Sequence, residues 1–444
     1  MPFMPLNRDD REFLRKFYNR LNPIEALQPD DQRYVKLDAD VPNQAAPRGQ
    51  QLVPLLRDTI VMSEGVTTQL YSGSPGSGKS TELNRLAAAL RKSGYIVLQS
   101  DAEDYLSPSD PIAVTDLLIA LAGAFGEATA AETGEDPTKE GYWTRFVNFC
   151  QTEVIIKDLD LKVVKASLRG DPTFKKRLRD ALAGNLMRLT EQVHGYVDEC
   201  VARLQAHSQG AAGFVFILDS LEHLQGSPPE EVCQSIGTVF SSHADKLRLE
   251  HCHVVYSVPQ YLGVLNPEVK GLYSGAIRML PMTKLSQRDN PSVPCRAGVE
   301  AFVSVIEKRG DWRRLLGDDR ALLERVVLAS GGYLRDLLRS VREITLQANQ
   351  LEQLPVPAPV VEAVLAMLAR DYQRLSRADA EWLAKVARTR GSCLPEMKDY
   401  SRLATLLRAH MVLYYQNGEE WYDVHPLARD EILRLAGPPP APEP

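Results

Sequence analysis

Paired cysteines are missing from this chain of 444 residues. Its six cysteines (Cys150, Cys200, Cys233, Cys252, Cys295 and Cys393) are scattered, and none forms a C-x-x-C pair. That pattern excludes the common zinc and disulfide frameworks, and free thiols point to a reducing, cytoplasmic setting. The one concentration of metal-ligand types, His251-Cys252-His253, sits at the entry to a predicted strand, where successive side chains face opposite ways, so packing is expected there. Long apolar runs are missing too. No 18 consecutive apolar residues occur, and residues 1–20 lack the apolar centre of a signal peptide, so neither a membrane span nor a leader is expected. Nor is there an excess of basic charge: 52 Lys and Arg stand against 58 Asp and Glu, a net charge of −6. That argues against a surface coated for constitutive nucleic-acid binding and leaves room for a local basic patch. The remaining composition, 44% hydrophobic and 25% charged, is that of a globular protein, and the length predicts two or three domains.

The most informative stretch is Gly73-Ser74-Pro75-Gly76-Ser77-Gly78-Lys79-Ser80, followed by Thr81. It matches G-x-x-x-x-G-K-S/T at every fixed position. The glycines allow turns that a Cβ would block, and the turns aim successive N–H groups at phosphate oxygens. The following helix adds the positive end of its dipole. Lys79 is expected to meet the β and γ phosphates, and the Ser80 hydroxyl to ligate Mg²⁺. The context fits, with a strand-like run from Thr68 to Tyr71 before the loop. After it, Thr81–Arg91 carries Leu83, Leu86, Ala87 and Leu90 on one helical face.

Around this loop the pattern is that of an α/β chain. Residues 1–60 read as lead-in helices, with one helix over Asp9–Leu21 and another over Gln50–Ile60, for which simple packing on the core is expected and covering the edge of a nucleotide base is the alternative. Residues 61–290 read as the core. Its further strands are Tyr95–Leu98, Phe214–Asp219, Val254–Pro259 and Ala276–Leu280. Residues 102–213 read as a mostly helical insertion. Within it, Pro111–Phe125 is an apolar helix, Thr129–Pro137 a loop, Tyr142–Cys150 an aromatic helix, and Asp171–Gln205 one long helix or two. Lys157, Lys162, Lys165, Arg169, Lys175, Lys176, Arg177, Arg179 and Arg188 make a basic run, either a solvated face or a contact surface for DNA or an acidic partner.

The third strand ends in Asp219, as the Mg²⁺ side of a phosphate-loop site requires. Glu222 follows three residues later and is placed to polarise a water. Ser257 closes the fourth strand. Residues 291–354 read as a helical segment holding Ser330-Gly331-Gly332-Tyr333-Leu334-Arg335. An Arg in the first turn after such a glycine pair can swing onto a γ-phosphate, with Arg339 as alternative or partner. Pro355, Pro357 and Pro359 mark a break. Residues 360–436 show helices and then a hairpin signalled by Asn417-Gly418, a winged-helix pattern whose recognition helix would be Ser401–His410 with Arg402, Arg408 and His410. Residues 437–444 (GPPPAPEP) read as a disordered tail.

Taken together, GSPGSGKST, the strand leading into LDSLEHL, and SGGYLRDLL resemble P-loop ATPases of the additional-strand class. The signal-transduction (STAND) and origin-recognition-like AAA+ branches fit best. The resemblance covers residues 45–435. It implies a five-stranded parallel core in the order 5-1-4-3-2, a helical lid and a winged helix. It would place Gly73 to Thr81 on the phosphates of ATP, Ser80 and Asp219 on Mg²⁺, Glu222 or Ser220 near the water, Ser257 as first sensor and Arg335 as second. The chain departs from the pattern in its long insertion and in having no Asp-Glu pair after the third strand, which predicts slow hydrolysis. The expected function is an ATP-driven switch that controls assembly or a partner protein, in a stress or anti-phage defence setting. The alternative is a DNA-binding AAA+ initiator or transposition regulator, with DNA contacted through the winged helix and the 157–188 run.

Overall fold

Five strands form the central layer. In chain order they are β1 (Thr68–Gly73), β2 (Tyr95–Asp101), β3 (Gly213–Asp219), β4 (His253–Val258) and β5 (Arg278–Leu280). They make one sheet in the order β2-β3-β4-β1-β5, and every pairing is parallel. This is the expected order read from the opposite edge. The computed structural model describes residues 6–38, 47–107, 110–134, 171, 176, 180, 184–224, 229–392 and 400–438.

Side chains alternate across the sheet and so select two helical layers. On one face Val215 and Ile217 of β3 join Val97, Tyr71 and Val255. The covering helices there are α2 (Leu52–Val61) and α3 (Lys79–Lys92), through Leu56, Ile60, Leu83 and Leu86, while α1 (Arg8–Arg20) lies outside that cluster. On the other face Phe216, Leu218, Val254 and Tyr256 meet α4 (Val114–Thr133), α5 (Leu186–His207) and α6 (Pro229–Ser242). A strand covered on both faces needs apolar residues in succession, which is why Phe214–Leu218 and Val254–Tyr256 stood out in the sequence.

α4 corrects one expectation. Its last turn covers Thr129–Thr133, which reads as loop from composition. Thr129 Oγ1 donates to the Phe125 carbonyl (2.8 Å) and Thr133 Oγ1 to the Thr129 carbonyl (3.0 Å), so both hydroxyls are absorbed by the helix. Gly134, at φ +70°, ends it. By length and composition α4 could cross a membrane, but 78% of its apolar window is buried in the fold. The helix expected over Tyr142–Cys150 and most of the basic run lie outside the described residues. From that run Lys176 and Arg188 are described, and both are exposed.

After β4 come α7 (Leu262–Leu265) and then the lid, built from α8 (Arg296–Glu307), α9 (Trp312–Leu316), α10 (Arg320–Ala329) and α11 (Leu334–Gln350). Its core holds Phe302, Trp312, Leu323 and Ile344, and Leu14 and Phe17 of α1 belong to that same core. The lead-in helix is thus a piece of the lid. After α12 (Ala358–Ala369) the C-terminal region has α13 (Arg377–Thr389), α14 (Tyr400–Arg408), the antiparallel hairpin β6 (Val412–Asn417) and β7 (Glu419–Val424), and α15 (Pro426–Ala436). This is a winged-helix arrangement. The hairpin turn is one residue tighter than the Asn-Gly signal predicts, since Asn417 pairs with Glu419 across Gly418.

The winged helix is docked on the core. Leu403, Leu407 and Met411 share a hydrophobic cluster with the sheet, and Leu413, Tyr415 and Trp421 pack on Met282 and Tyr333. The Gly331-Gly332 turn is the closest point. A Cβ on Gly332 (φ +80°) would lie 1.8 Å from the Thr283 carbonyl oxygen. Gly332→Ala is therefore expected to cost about 2–3 kcal/mol of stability, read as a lower urea midpoint. Gly65→Ala, where an added Cβ meets nothing within 4 Å, should leave the midpoint unchanged.

Candidate nucleotide site

The phosphate loop leaves β1 at Gly73 and enters α3 at Lys79. The Ser77 N–H donates to the Ser74 carbonyl (3.0 Å), and Gly76 and Gly78 take φ values of +81° and +99°, where a side chain would be strained. Gly76 is also needed for space, because a Cβ there would lie 2.4 Å from Arg335 Nε. The result is a concave row of backbone at a helix N-terminus, an arrangement that receives anionic oxygens. One cavity is lined by Gly76, Gly78, Lys79, Ser80, Thr81, Glu222 and Arg335.

Lys79 is almost fully buried. Its ammonium lies 2.7 Å from Glu222 Oε1, with side-chain exposures of 2% and 3%, and donates to the Ser74 carbonyl (3.1 Å). The second Glu222 oxygen, Oε2, accepts from Ser257 Oγ (2.8 Å). Burial would raise the Glu222 carboxyl, but Lys79, aided by His223, overrides it and holds the group below the ordinary value. Asp219 moves the opposite way. Burial, reinforced by the Glu222 charge, raises it against the opposing pull of a Ser80 hydrogen bond and Lys79. Ser80 and Asp219 thus sit together as hard oxygen donors and fit a Mg²⁺ ion. Ser220, at φ +70°, turns to Asp101 (Oγ to Oδ2, 2.9 Å) and not to the cavity of Lys79.

The lid supplies the far wall. Arg335 lies against Gly76, and its buried Nε has no hydrogen-bond partner, as suits a group waiting on an anion. Arg339 is turned away: its guanidinium pairs with Asp371, so it is not an alternative to Arg335 in this arrangement. Pro75 receives a hydrogen bond from Tyr333 OH at its carbonyl (2.8 Å).

Several residues of the site carry no motif. The segment from Pro23 to Leu37 roofs the cavity, and the helix over Leu52–Val61 packs on the sheet as expected. The roof is held in place by the Leu27 N–H donating to Thr81 Oγ1 (3.0 Å) and by Asn84 Nδ2 donating to the Leu27 carbonyl (3.1 Å). Thr81 is therefore used in fastening the roof. Arg48 donates to the carbonyls of Ser77 and Pro281, and Ser74 Oγ donates to Gln260. A phosphate-loop residue read as a ligand in the sequence is thus held by the turn that follows β4. Only long-range packing brings these groups in, so no local spacing announces them.

No family model matches the sequence, and no curated protein does. Similar solved structures include Drosophila ORC bound to DNA, at 13% identity and a TM-score of 0.40, with 98% of this chain and 94% of that chain covered. Cdc6p from Pyrobaculum aerophilum is similar at 11% identity and a TM-score of 0.39, covering 98% and 99%. A Walker-type ATPase of Pyrococcus abyssi is similar at 14% identity and a TM-score of 0.38, covering 85% and 94%. Likenesses of this size say nothing of ligand or partner.

Behind the loop lies a buried polar cluster that joins lid and winged helix. Tyr333 OH contacts His410 Nε2 (3.1 Å), Tyr372 OH donates to Asp336 Oδ2 (2.6 Å), and His425 Nε2 lies 3.3 Å from that same oxygen. Burial, only partly opposed by Asp336, pushes the His410 pKa down to about 3 from an ordinary 6.5. Between those values the unfolded chain binds a proton that the folded chain refuses, so stability falls as the pH drops below about 6.5. The deficit from this residue is expected to reach about 2 kcal/mol at pH 5. Urea unfolding at pH 5 and pH 7 checks it: His410→Asn should flatten the difference, and an unchanged difference would contradict the assignment.

Proposed function

We propose that this chain binds and hydrolyses ATP, and that the nucleotide governs how the lid and winged helix sit on the core. One observation carries the reading: the phosphate loop is also a docking surface. Tyr333 bonds Pro75 (2.8 Å), Arg335 packs on Gly76, and His410 of the winged-helix region sits on Tyr333 with ring centroids 4.4 Å apart. Whatever fills the loop must act on these contacts.

In this reading the loop N–H groups and Lys79 hold the β and γ phosphates. Ser80 and Asp219 hold Mg²⁺, which supplies neutralisation of the phosphate charge. Arg335 turns its unpaired guanidinium edge to the γ-phosphate and reports its loss. Water attacks the γ-phosphorus, the bond to the bridging oxygen breaks, and ADP and phosphate leave. Slow turnover suits a switch, and both Glu222 oxygens are engaged. The output is assembly or a change in a partner protein. Lys79→Ala should abolish turnover, with a loss of about 100-fold or more, and unchanged turnover would remove the site assignment. Size and hydrodynamic radius, measured with and without a non-hydrolysable ATP analogue, test the switch itself. A difference is expected, and identical values would leave an ATPase without a switch.

A second reading, an initiator-like ATPase that engages DNA, is favoured by one surface. A cleft is lined by Arg288, Arg388, Arg390 and Arg429. Arg390 and Arg429 share the carboxylate of Asp423, and among the described residues exposed Arg388 reaches only the Gly437 carbonyl (3.4 Å). The helix expected to read DNA is less available. α14 packs on the core, Arg402 pairs with Asp379, and His410 is half-buried against the Tyr333 ring. The cleft suits phosphate contacts better than base readout. Duplex binding should weaken steeply with salt, and Arg388→Ala should lower the slope of log affinity on log salt by about one. No binding at low salt would end this second reading.

A further inference from the structure

We propose that His223, oriented by Glu103, is the base that takes the proton from the water attacking the γ-phosphate. The inference rests on the reading that this site hydrolyses ATP, and it names the residue that activates the water.

The fold makes the pair. β2 and β3 are neighbours, and Asp101 and Asp219 are partners in register at their ends. Each strand runs into a 3-10 turn, Ala102–Asp104 after β2 and Leu221–His223 after β3. The two turns therefore lie side by side at the carboxyl edge of the sheet, where ligands bind in open α/β folds. His223 Nδ1 lies 2.7 Å from Glu103 Oε1. With that nitrogen donating to the carboxylate, Nε2 keeps its lone pair. Nε2 points inward, 3.7 Å from Glu222 Oε1, and His223 lines the same cavity as Lys79, Ser80 and Arg335. A carboxylate that orients an imidazole toward a reaction site is the arrangement that base catalysis needs.

Glu222 is the obvious competitor, and its surroundings give it another task. Oε1 holds Lys79 (2.7 Å) and Oε2 holds Ser257 (2.8 Å). It is a clamp with both oxygens occupied, and its low pKa makes it a weak proton acceptor. The charged groups at the imidazole are Glu103 from the first turn and Glu222 beside it, and Lys79 from α3 and Arg335 from the lid line the same cavity. The step balances. As the water oxygen bonds to the γ-phosphorus, its proton passes to Nε2, and the bond to the bridging oxygen breaks with its electron pair leaving on ADP. The imidazolium is stabilised by Glu103. With its side chain 30% exposed, it then returns the proton to solvent.

The test is steady-state ATP turnover by wild type, His223→Asn, Glu103→Gln and Glu222→Gln across about pH 6 to 9, with analogue affinity measured in parallel. For His223→Asn we expect kcat to fall by about 100-fold or more, KM and analogue affinity to stay within about two-fold, and the rising limb of the pH profile to disappear. Glu103→Gln should lower kcat by about 10-fold with KM unchanged, because it loosens the ring without removing it. A His223→Asn enzyme that keeps kcat within about three-fold of wild type, or keeps the rising limb, overturns the proposal. So does a Glu222→Gln enzyme that loses the limb while His223→Asn retains it. A wild type with no Lys79-dependent turnover overturns the ATPase reading itself, and this inference with it.

Discussion

The ion pair between Lys79 and Glu222 is the constraint on which the rest of the site depends. Two charges buried to within a few per cent are tolerable only while each has the other and further polar partners. Here the partners are the Ser74 carbonyl for the ammonium and Ser257 for the carboxylate. The pair thereby fastens three elements at one point: the phosphate loop after β1, the turn after β3 and the end of β4. The ammonium has three N–H donors, and the Ser74 carbonyl and Glu222 take two of them. In the proposed reading a phosphate oxygen takes the third, and Glu222 stays engaged. Binding there is not a local event, because any shift of Lys79 is passed through Glu222 to the turn that carries His223 and to Ser257.

The second tie runs to the C-terminal half. Tyr333 sits between Pro75 of the loop and His410 of the winged-helix region. Next to it Arg335 enters the cavity, and Asp336 enters the cluster with Tyr372 and His425. Burial would raise the Asp336 carboxyl, but the His425 hydrogen bond, with Tyr372 and Arg339, keeps it low. Tyr333, Arg335 and Asp336, grouped at one helix start, thus face the loop, the cavity and the winged helix. A rotation of α11 large enough to bring Arg335 onto a phosphate also disturbs Tyr333 and Asp336. The coupling is carried by side chains on one rigid element, so it requires no long chain of intermediates.

What could be read from the sequence was what depends on local pattern. The five strands followed from apolar runs and from a motif that fixes where β1 meets α3, whereas their order came only from the resemblance to additional-strand P-loop ATPases. Gly76 and Gly78 were legible because positive φ leaves few alternatives. The roof from Pro23 to Leu37 was not, because its place over Thr81 and Asn84 is set by two hydrogen bonds between segments more than 50 residues apart. The inward packing of α14 was hidden for the same reason: Arg402 and His410 resemble a DNA-reading face until Asp379 and Tyr333 are brought beside them. His223 looked like the neighbour of a candidate base. Only the register of β2 on β3 reveals Glu103 behind it.

The opposite shifts of Asp219 and Glu222 show how one small site divides its work. Asp219 is half-buried at the end of β3 and Glu222 is buried three residues on, yet loss of solvent wins at Asp219 and Lys79 wins at Glu222. Groups whose environments push them apart in this way take different roles. Asp219 is a carboxylate short of positive charge, which is the property of a cation ligand. Glu222 already has its cation and is suited to holding Lys79 in place. Neither is left to accept a proton cheaply. The imidazole beyond them, with a carboxylate behind it and solvent within reach, is the group whose surroundings leave it free to do so, and the division of charge between the two acids is what leaves that task to it.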